Sequence, residues 1–176
     1  MKELSLNILD VAKNSVTAGA TRIGITVSEQ PQKLTITIAD DGCGMTEEFV
    51  SRVLDPFTTT RTTRKVGLGL PLMRMEAQMA GGDLTIESTL GVGTTVTTWF
   101  DPTHIDMPPL GDVVSSLVTL IQGSPEIDFI FTHEKGGNSY TLHTGEIREI
   151  MGGISLAEPE VLAWLTEYLS EHENAL

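Results

Sequence analysis

The sequence predicts an α+β fold: a two-layer α/β sandwich whose mixed sheet carries helices on one face, followed by a small α/β appendix. Three observations predict it. Segments 22–28, RIGITVS, and 33–39, KLTITIA, alternate apolar and polar residues with the period of a strand. Residues 3–18 repeat apolar side chains with helical spacing, and residues 46–54 and 70–80 carry helix start and stop signals. Along residues 1–100 the order is helix, two strands, helix, polar loop, helix, two strands, so helices and strand pairs can pack as two layers.

Residues 3–18 place Leu4, Ile8, Val11 and Ser15 on one buried helical face. Asn7, Asp10 and Asn14 stand three, four and seven apart and share a different face. A carboxylate and two carboxamides in that arrangement are hard oxygen ligands suited to Mg²⁺, or else an ordinary solvated helix face. Gly19 ends the helix. Gln30 to Gln32 turns the first strand into the second, which runs straight into Asp40-Asp41-Gly42-Cys43-Gly44-Met45. An acid at a strand end followed by glycines lets the backbone approach a flat ligand, and its carboxylate can accept from an exocyclic amine such as adenine N6. The same residues also fit a plain Asp-Gly turn.

Thr46 caps the next helix, with Glu47 and Glu48 in its first turn. Asp55-Pro56-Phe57 stops it, and TTTRTTRKVGLGL follows at residues 58–70, where Arg61, Arg64 and Lys65 lead into Gly67, Leu68, Gly69 and Leu70. Backbone N–H groups in a glycine-rich turn before a helix, with cations alongside, suit a polyphosphate; a solvated basic loop is the plainer alternative. Pro71 fits the first turn of the helix at 70–80, where Leu72, Met75, Ala77 and Met79 are available for packing and Gly81-Gly82 closes the segment. Residues 83–88 and 94–100 read as strands around Gly91-Val92-Gly93.

The formal net charge of −13 argues against nucleic acid or an anionic membrane as the main partner. Cys43 is the sole cysteine, which excludes an intramolecular disulfide and makes a reducing cytoplasm the expected setting; it reads as a small filler between glycines. No apolar run reaches membrane-spanning length, and MKELSLNILDV resembles neither a signal peptide nor an anchor, so no membrane insertion is expected.

Ordered motifs across residues 4–100 resemble those of the GHKL ATPase superfamily, which includes histidine-kinase catalytic domains, DNA gyrase, mismatch-repair MutL and anti-sigma serine kinases. LDVAKNSVTAGATRI resembles the N-box, DDGCGM the G1 box, DPFTTTR with VGLGLPLM the F and G2 boxes, and GVGTTVT the closing Gly-Thr strand. The resemblance implies a Bergerat-type sandwich that binds ATP with Mg²⁺. By position, Asn14 matches the asparagine that holds Mg²⁺, and Asp40 matches the aspartate that reads the adenine amine, with Thr94 near the bridging water. Gly42 and Gly44 match the glycines that let the backbone pass the base. Gly67 and Gly69 match the G2 glycines at the phosphates, with Leu68 and Leu70 in the same box. Arg61, Arg64 and Lys65 fall in the lid, as candidates for γ-phosphate contacts.

The pattern departs from the family at two places. Hydrolytic members carry a glutamate four residues before the magnesium asparagine and many histidine kinases an asparagine; this chain has Asp10, a candidate catalytic carboxylate one methylene shorter. Lys65-Val66 replaces the Gly-Thr of many histidine kinases and brings one more cation toward the phosphates. The N-box helix begins at the third residue, with no room for an upstream hairpin bearing a phosphoacceptor histidine, so the expected acceptor is a separate protein. His133-Glu134 looks like an acceptor dipeptide, but Gly136-Gly137-Asn138 follows and points to a hairpin turn.

The expected division is an ATP-binding domain at 1–101, a Pro-rich linker at 102–110, and a small α/β subdomain at 111–176 that docks on the core or meets a partner. In the last part, residues 111–122 read as a helix, 126–132 and 139–144 as strands, 146–151 as a short helix, and 159–172 as a helix packing Val161, Leu162, Leu165 and Leu169. Trp164 and Tyr168 flank that row, with core packing the expectation for both. The linker and appendix resemble those of small stand-alone bacterial GHKL proteins, often encoded near iron–sulfur oxidoreductase subunits. The sequence therefore favours a cytoplasmic Mg-ATP-binding protein that phosphorylates a separate protein, with a partner of redox/iron–sulfur or two-component type and a serine or aspartate acceptor as open as a histidine. The alternative is a nucleotide-gated switch or slow ATPase that controls a partner complex, an iron–sulfur oxidoreductase being one such partner.

Overall fold

The computed structural model describes residues 3–55 and 69–176. Helix α1 (Leu4–Thr17) buries Leu4, Ser5, Ile8, Val11, Ala12 and Ser15, the helical stripe that its sequence spells out. Strands β1 (Arg22–Gln30) and β2 (Lys33–Asp40) form an antiparallel hairpin in which Ile25 faces Ile38 and Val27 faces Ile36. Helix α2 (Glu47–Val53) starts where the Thr46 hydroxyl accepts from Phe49 N–H at 3.1 Å. Helix α3 (Gly69–Met79) leads into β3 (Asp83–Thr89) and β4 (Gly93–Phe100), again antiparallel. Then come α4 (Val113–Gly123), capped by the Asp112 carboxylate on Ser115 N–H, and the hairpin β5 (Asp128–Lys135) and β6 (Asn138–His143). Helices α5 (Thr144–Met151) and α6 (Pro159–Ala175) complete the chain. Among the described residues no helix is long and apolar enough to cross a membrane.

The six strands form one mixed sheet in the order β3-β4-β2-β1-β5-β6. Among the described residues only the β1–β5 pair is parallel. Residues 111–176 therefore share a sheet with residues 1–101, and a single apolar core runs through both. One sheet face carries Ile23, Ile25, Val27, Ile36, Ile38, Val96, Phe100, Phe129 and Phe131, all buried against the helices. Burying each such side chain contributes on the order of 1.5–3 kcal/mol. The opposite face carries a row of threonines, one from each strand: Thr85, Thr97, Thr37, Thr26, Thr132 and Thr141 are cross-strand neighbours in that order. β-Branching suits the pleat while the hydroxyls keep this face compatible with water.

Backbone bonds seat the front of α1 on the chain before α4: Leu4 N–H donates to Pro109 C=O at 2.9 Å and Ser5 N–H to Leu110 C=O at 2.8 Å. The Ser116 hydroxyl of α4 donates to Ser5 C=O at 2.9 Å.

Two packing expectations fail. Leu72, Met75 and Met79 are exposed, and α3 instead buries Leu70, Pro71, Met73 and Ala77. Apolar residues stand on both sides of this helix, so spacing alone does not select the face that meets the sheet. Trp164, expected in the core, is 46% exposed; Val161, Leu165 and Leu169 take the buried stripe of α6, and Trp164 lies off it. Strand β5 also starts later and runs further than expected, which places His133 inside the strand and leaves Gly136-Gly137 as the turn, both at positive φ.

Candidate functional site

A cavity of about 460 Å³ opens between α1, the chain from β2 into α2, the start of α3 and the β3–β4 hairpin. Apolar side chains make most of its wall: Val11, Met45, Phe49, Val53, Leu70, Leu90 and Val96. Asn14, Ser15, Asp40 and Thr94 place polar atoms in it. An apolar slot with a few fixed polar groups is the usual make-up of a small-molecule site.

Ser15, Asp40 and Thr94 are each positioned by identifiable partners. Asp40 ends β2, where its Oδ2 accepts from the Ser15 hydroxyl at 2.5 Å and its Oδ1 from Gly42 N–H at 2.9 Å. A carboxylate has about four lone-pair sites, so capacity remains for a ligand N–H. Asp41 is committed elsewhere: its carboxylate accepts from Thr21 N–H at 2.8 Å, the Thr21 hydroxyl at 2.7 Å and Arg22 N–H at 3.0 Å. The Thr21 hydroxyl and the Arg22 N–H hold the Asp41 pKa below its ordinary value. The two adjacent acids thus divide into one that ties down β1 and one that lines the cavity.

Thr94 pairs with Asp40 across β2 and β4. Its hydroxyl lies 2.7 Å from that of Ser88, which accepts from Met45 N–H at 2.8 Å. Gly44 has φ +71, and a Cβ there would stand 2.1 Å from Thr89 C=O, so the turn after β2 can close on the β3–β4 hairpin only without a side chain. At Gly42 a Cβ would meet Ala18 at 2.9 Å. The close approach these glycines permit is to the protein itself, and it brings Gly44 into the cavity wall.

The Asn14 side chain has a buried Nδ2 with no hydrogen-bond partner among the described residues. A buried amide left unpaired costs on the order of 1–3 kcal/mol, and this one belongs to a residue that lines the cavity. Carboxamide N and O exchange by a half-turn of the terminal torsion, so the group can offer either a donor to a phosphate oxygen or a carbonyl to a cation. These features fit a nucleotide with its divalent ion. Asp10, one turn before Asn14, is exposed and does not line the cavity; its Cβ lies 3.7 Å from where a Gly69 Cβ would be, beside the N-terminus of α3. Asn7, on the same polar face, instead donates to the Glu76 carboxylate of α3. Gly69 opens α3 and Leu70 is buried under the cavity. Arg61, Arg64, Lys65, Gly67 and Leu68 lie outside the described residues.

Sequence reasoning missed Ser15, Ser88 and the apolar walls Met45, Phe49 and Leu90. Ser15 did carry a signal: it is a polar residue in an otherwise apolar stripe. Cys43, read as a filler, is an exposed thiol on the cavity rim. His133 is buried, with its ring nitrogens 2.6 Å from Glu173 and 2.6 Å from Glu29, which leaves neither nitrogen open to accept a phosphoryl group.

The model of a family described as histidine kinase-, DNA gyrase B-, and HSP90-like ATPase matches residues 1–104. The histidine protein kinase DivJ of Caulobacter vibrioides is 35% identical over 100 residues, covering 54% of this chain and 17% of that protein. The sensor histidine kinase CitA of Klebsiella pneumoniae is 31% identical over 101 residues, covering 56% of this chain and 18% of CitA. The sensor histidine kinase WalK of Bacillus subtilis is 34% identical over 95 residues, covering 51% of this chain and 16% of WalK. The chain thus spans less than a fifth of the length of each of these relatives.

Proposed function

The chain belongs to the histidine kinase-, DNA gyrase B- and HSP90-like ATPase family and carries its histidine-kinase-like ATP-binding domain, and from that premise we propose that it holds Mg-ATP in the cavity beside α1 and transfers the γ-phosphate to a separate protein. The observation that carries this reading is the Asp40 carboxylate, fixed by Ser15 and Gly42 in an apolar slot that Asn14 also lines, its buried amide nitrogen without a hydrogen-bond partner among the described residues. Asp40 takes the adenine amine, Thr94 supports a water beside it, and Met45, Phe49 and Leu90 cover the base. Asn14 would hold Mg²⁺ together with the phosphates, and the ion, when bound, would supply charge neutralisation for the transferring group. Gly67, Leu68, Gly69 and Leu70 present the α3 N-terminus to the phosphates, and Arg61, Arg64 and Lys65 reach the γ-phosphate. Asp10, at that end of the site, accepts the proton of the attacking group. Residues 1–101 form the nucleotide unit and residues 111–176 the part that communicates with a partner, in a cytoplasmic setting.

One observation favours a second reading, a nucleotide-gated switch without transfer. The N-box helix α1 is bonded at its front to Pro109, Leu110 and Ser116, so a shift of α1 on ATP binding would be felt directly by α4. Incubation with γ-labelled ATP and Mg²⁺, with and without a co-purified partner, separates the two. Label on a protein supports transfer, and bound ATP without label on protein supports the switch. Absence of ATP binding would overturn both.

A further inference from the structure

Helix α6 presents a stacked row of rings along one face. Trp164 stacks on Tyr168 at 5.2 Å between centroids and 28° between planes; Tyr168 lies 4.2 Å from His172, and His172 lies 5.1 Å from Tyr140 of β6. The inner end is anchored. The Tyr140 hydroxyl donates to Glu173 at 2.6 Å, and the Glu173 carboxylate also meets His133, which meets Glu29 at the end of β1. The outer end is open: Trp164 is 46% exposed.

The charge of the C-terminal stretch has one sign apart from its histidine. From residue 149 onward the sequence carries Glu149, Glu158, Glu160, Glu167, Glu171 and Glu173 and no lysine or arginine. Glu160 precedes Trp164 by four residues, and Glu167 and Glu171 follow by three and seven, so all three share its side of the helix and all three are exposed. A large aromatic ring set among exposed carboxylates, with no lysine or arginine on its own helix, is complementary to a cation carried by something else.

We propose that the Trp164 face of α6 is a docking surface for a partner-protein segment that presents arginine. A guanidinium is flat and weakly hydrated, stacks on an indole face, and directs its edge N–H groups to carboxylates in the ring's surroundings. A lysine ammonium can satisfy the charge but not the stacking. Because Tyr168 stacks on the indole and is itself backed by His172 and Tyr140, little side-chain freedom is lost on binding. This surface stands apart from the nucleotide cavity and does not rest on phosphotransfer.

The test uses octa-arginine and octa-lysine peptides with the full chain in a Trp99→Phe background, so that fluorescence reports Trp164 alone. The expected result is a saturable change with octa-arginine, an affinity for octa-lysine lower by about tenfold, and an about tenfold loss of octa-arginine affinity, read by calorimetry, in Trp164→Ala. Glu167→Gln, which keeps the ring, should also weaken octa-arginine binding, with circular dichroism unchanged. No saturable change with octa-arginine would overturn the proposal. So would equal affinity for the two peptides, or undiminished binding by Trp164→Ala or by Glu167→Gln.

Discussion

The Ser15 hydroxyl donates to Oδ2 of Asp40 at 2.5 Å, joining the last turn of α1 to the last residue of β2. The bond fixes the carboxylate orientation before any ligand arrives and leaves its free lone pairs for the cavity. Ser15→Ala removes the donor without filling space. Hydrogen bonds to charged groups contribute on the order of 1.5–3 kcal/mol, only part of which acts on the ligand, so ATP affinity should fall about three- to tenfold. Isothermal titration calorimetry reads this directly. Unchanged affinity would show that Asp40 needs no support from α1.

Asp10→Asn should leave ATP affinity within about twofold while lowering phosphoryl transfer or hydrolysis by about 10²-fold or more. Asp10 is exposed and outside the cavity lining, so its carboxylate has no part in holding the base. Single-turnover assays with labelled ATP measure the two effects separately. Full turnover in the variant would remove Asp10 from the chemistry.

The fold was legible because its elements are locally consistent. The Ile-rich alternation of β1 and β2, the Thr46 cap and the glycine stops each point to the same element as the structure. Asp40, Asn14 and Thr94 were legible as a set because they stand in motifs whose order is informative. What failed was orientation. Leu72 and Met75 are as apolar as Leu70 and Met73, and only the sheet decides which pair is covered. The join between residues 111–176 and the first part rests on the parallel β1–β5 pairing, a contact about a hundred residues apart with no local signature. Ser15 and Ser88 were missed because a hydroxyl gains its role from a partner brought in by folding.

Cys43 offers a chemical footprint. Its exposed thiol stands on the cavity rim, and the sequence has no other cysteine. Saturating ATP should slow alkylation of Cys43 by N-ethylmaleimide about tenfold or more, read by intact-mass spectrometry. Equal rates with and without ATP would place the nucleotide elsewhere.

The His133 cluster makes stability depend on pH. Burial alone would lower the His133 pKa, but hydrogen bonds to Glu173 and Glu29 outweigh it and hold it above the ordinary value of 6.5. Glu173 is held below the usual 4.5, because its bonds to His133 and Tyr140 outweigh burial; Lys135 adds attraction. The Tyr140 hydroxyl, raised by burial and by Glu173, stays protonated. The His133 contribution is therefore complete below pH 6.5 and lost as pH rises through its elevated folded value. The Glu173 contribution is present above pH 4.5 and lost as pH falls through its depressed value. Urea unfolding from pH 5 to 10 should show an alkaline loss of stability that His133→Gln lacks, and that variant should be less stable at pH 6 by about 1.5–3 kcal/mol.

Gly44→Ala should disturb the cavity through the backbone. At φ +71, with Thr89 C=O 2.1 Å from the added carbon, the turn and the β3–β4 hairpin cannot both keep their places. A loss of about 2 kcal/mol in stability, with weaker ATP binding as Leu90 and Thr94 move, is the expected outcome in thermal unfolding and titration.

The central claim is that the slot beside α1 binds ATP through Asp40, and calorimetric titration of Mg-ATP into wild-type protein and Asp40→Asn tests it most directly. The substitution keeps size but replaces an acceptor-only carboxylate with a group that presents donors. The account predicts saturable binding to the wild type and a loss of about thirtyfold or more in the variant. Equal affinity in the two proteins would contradict it.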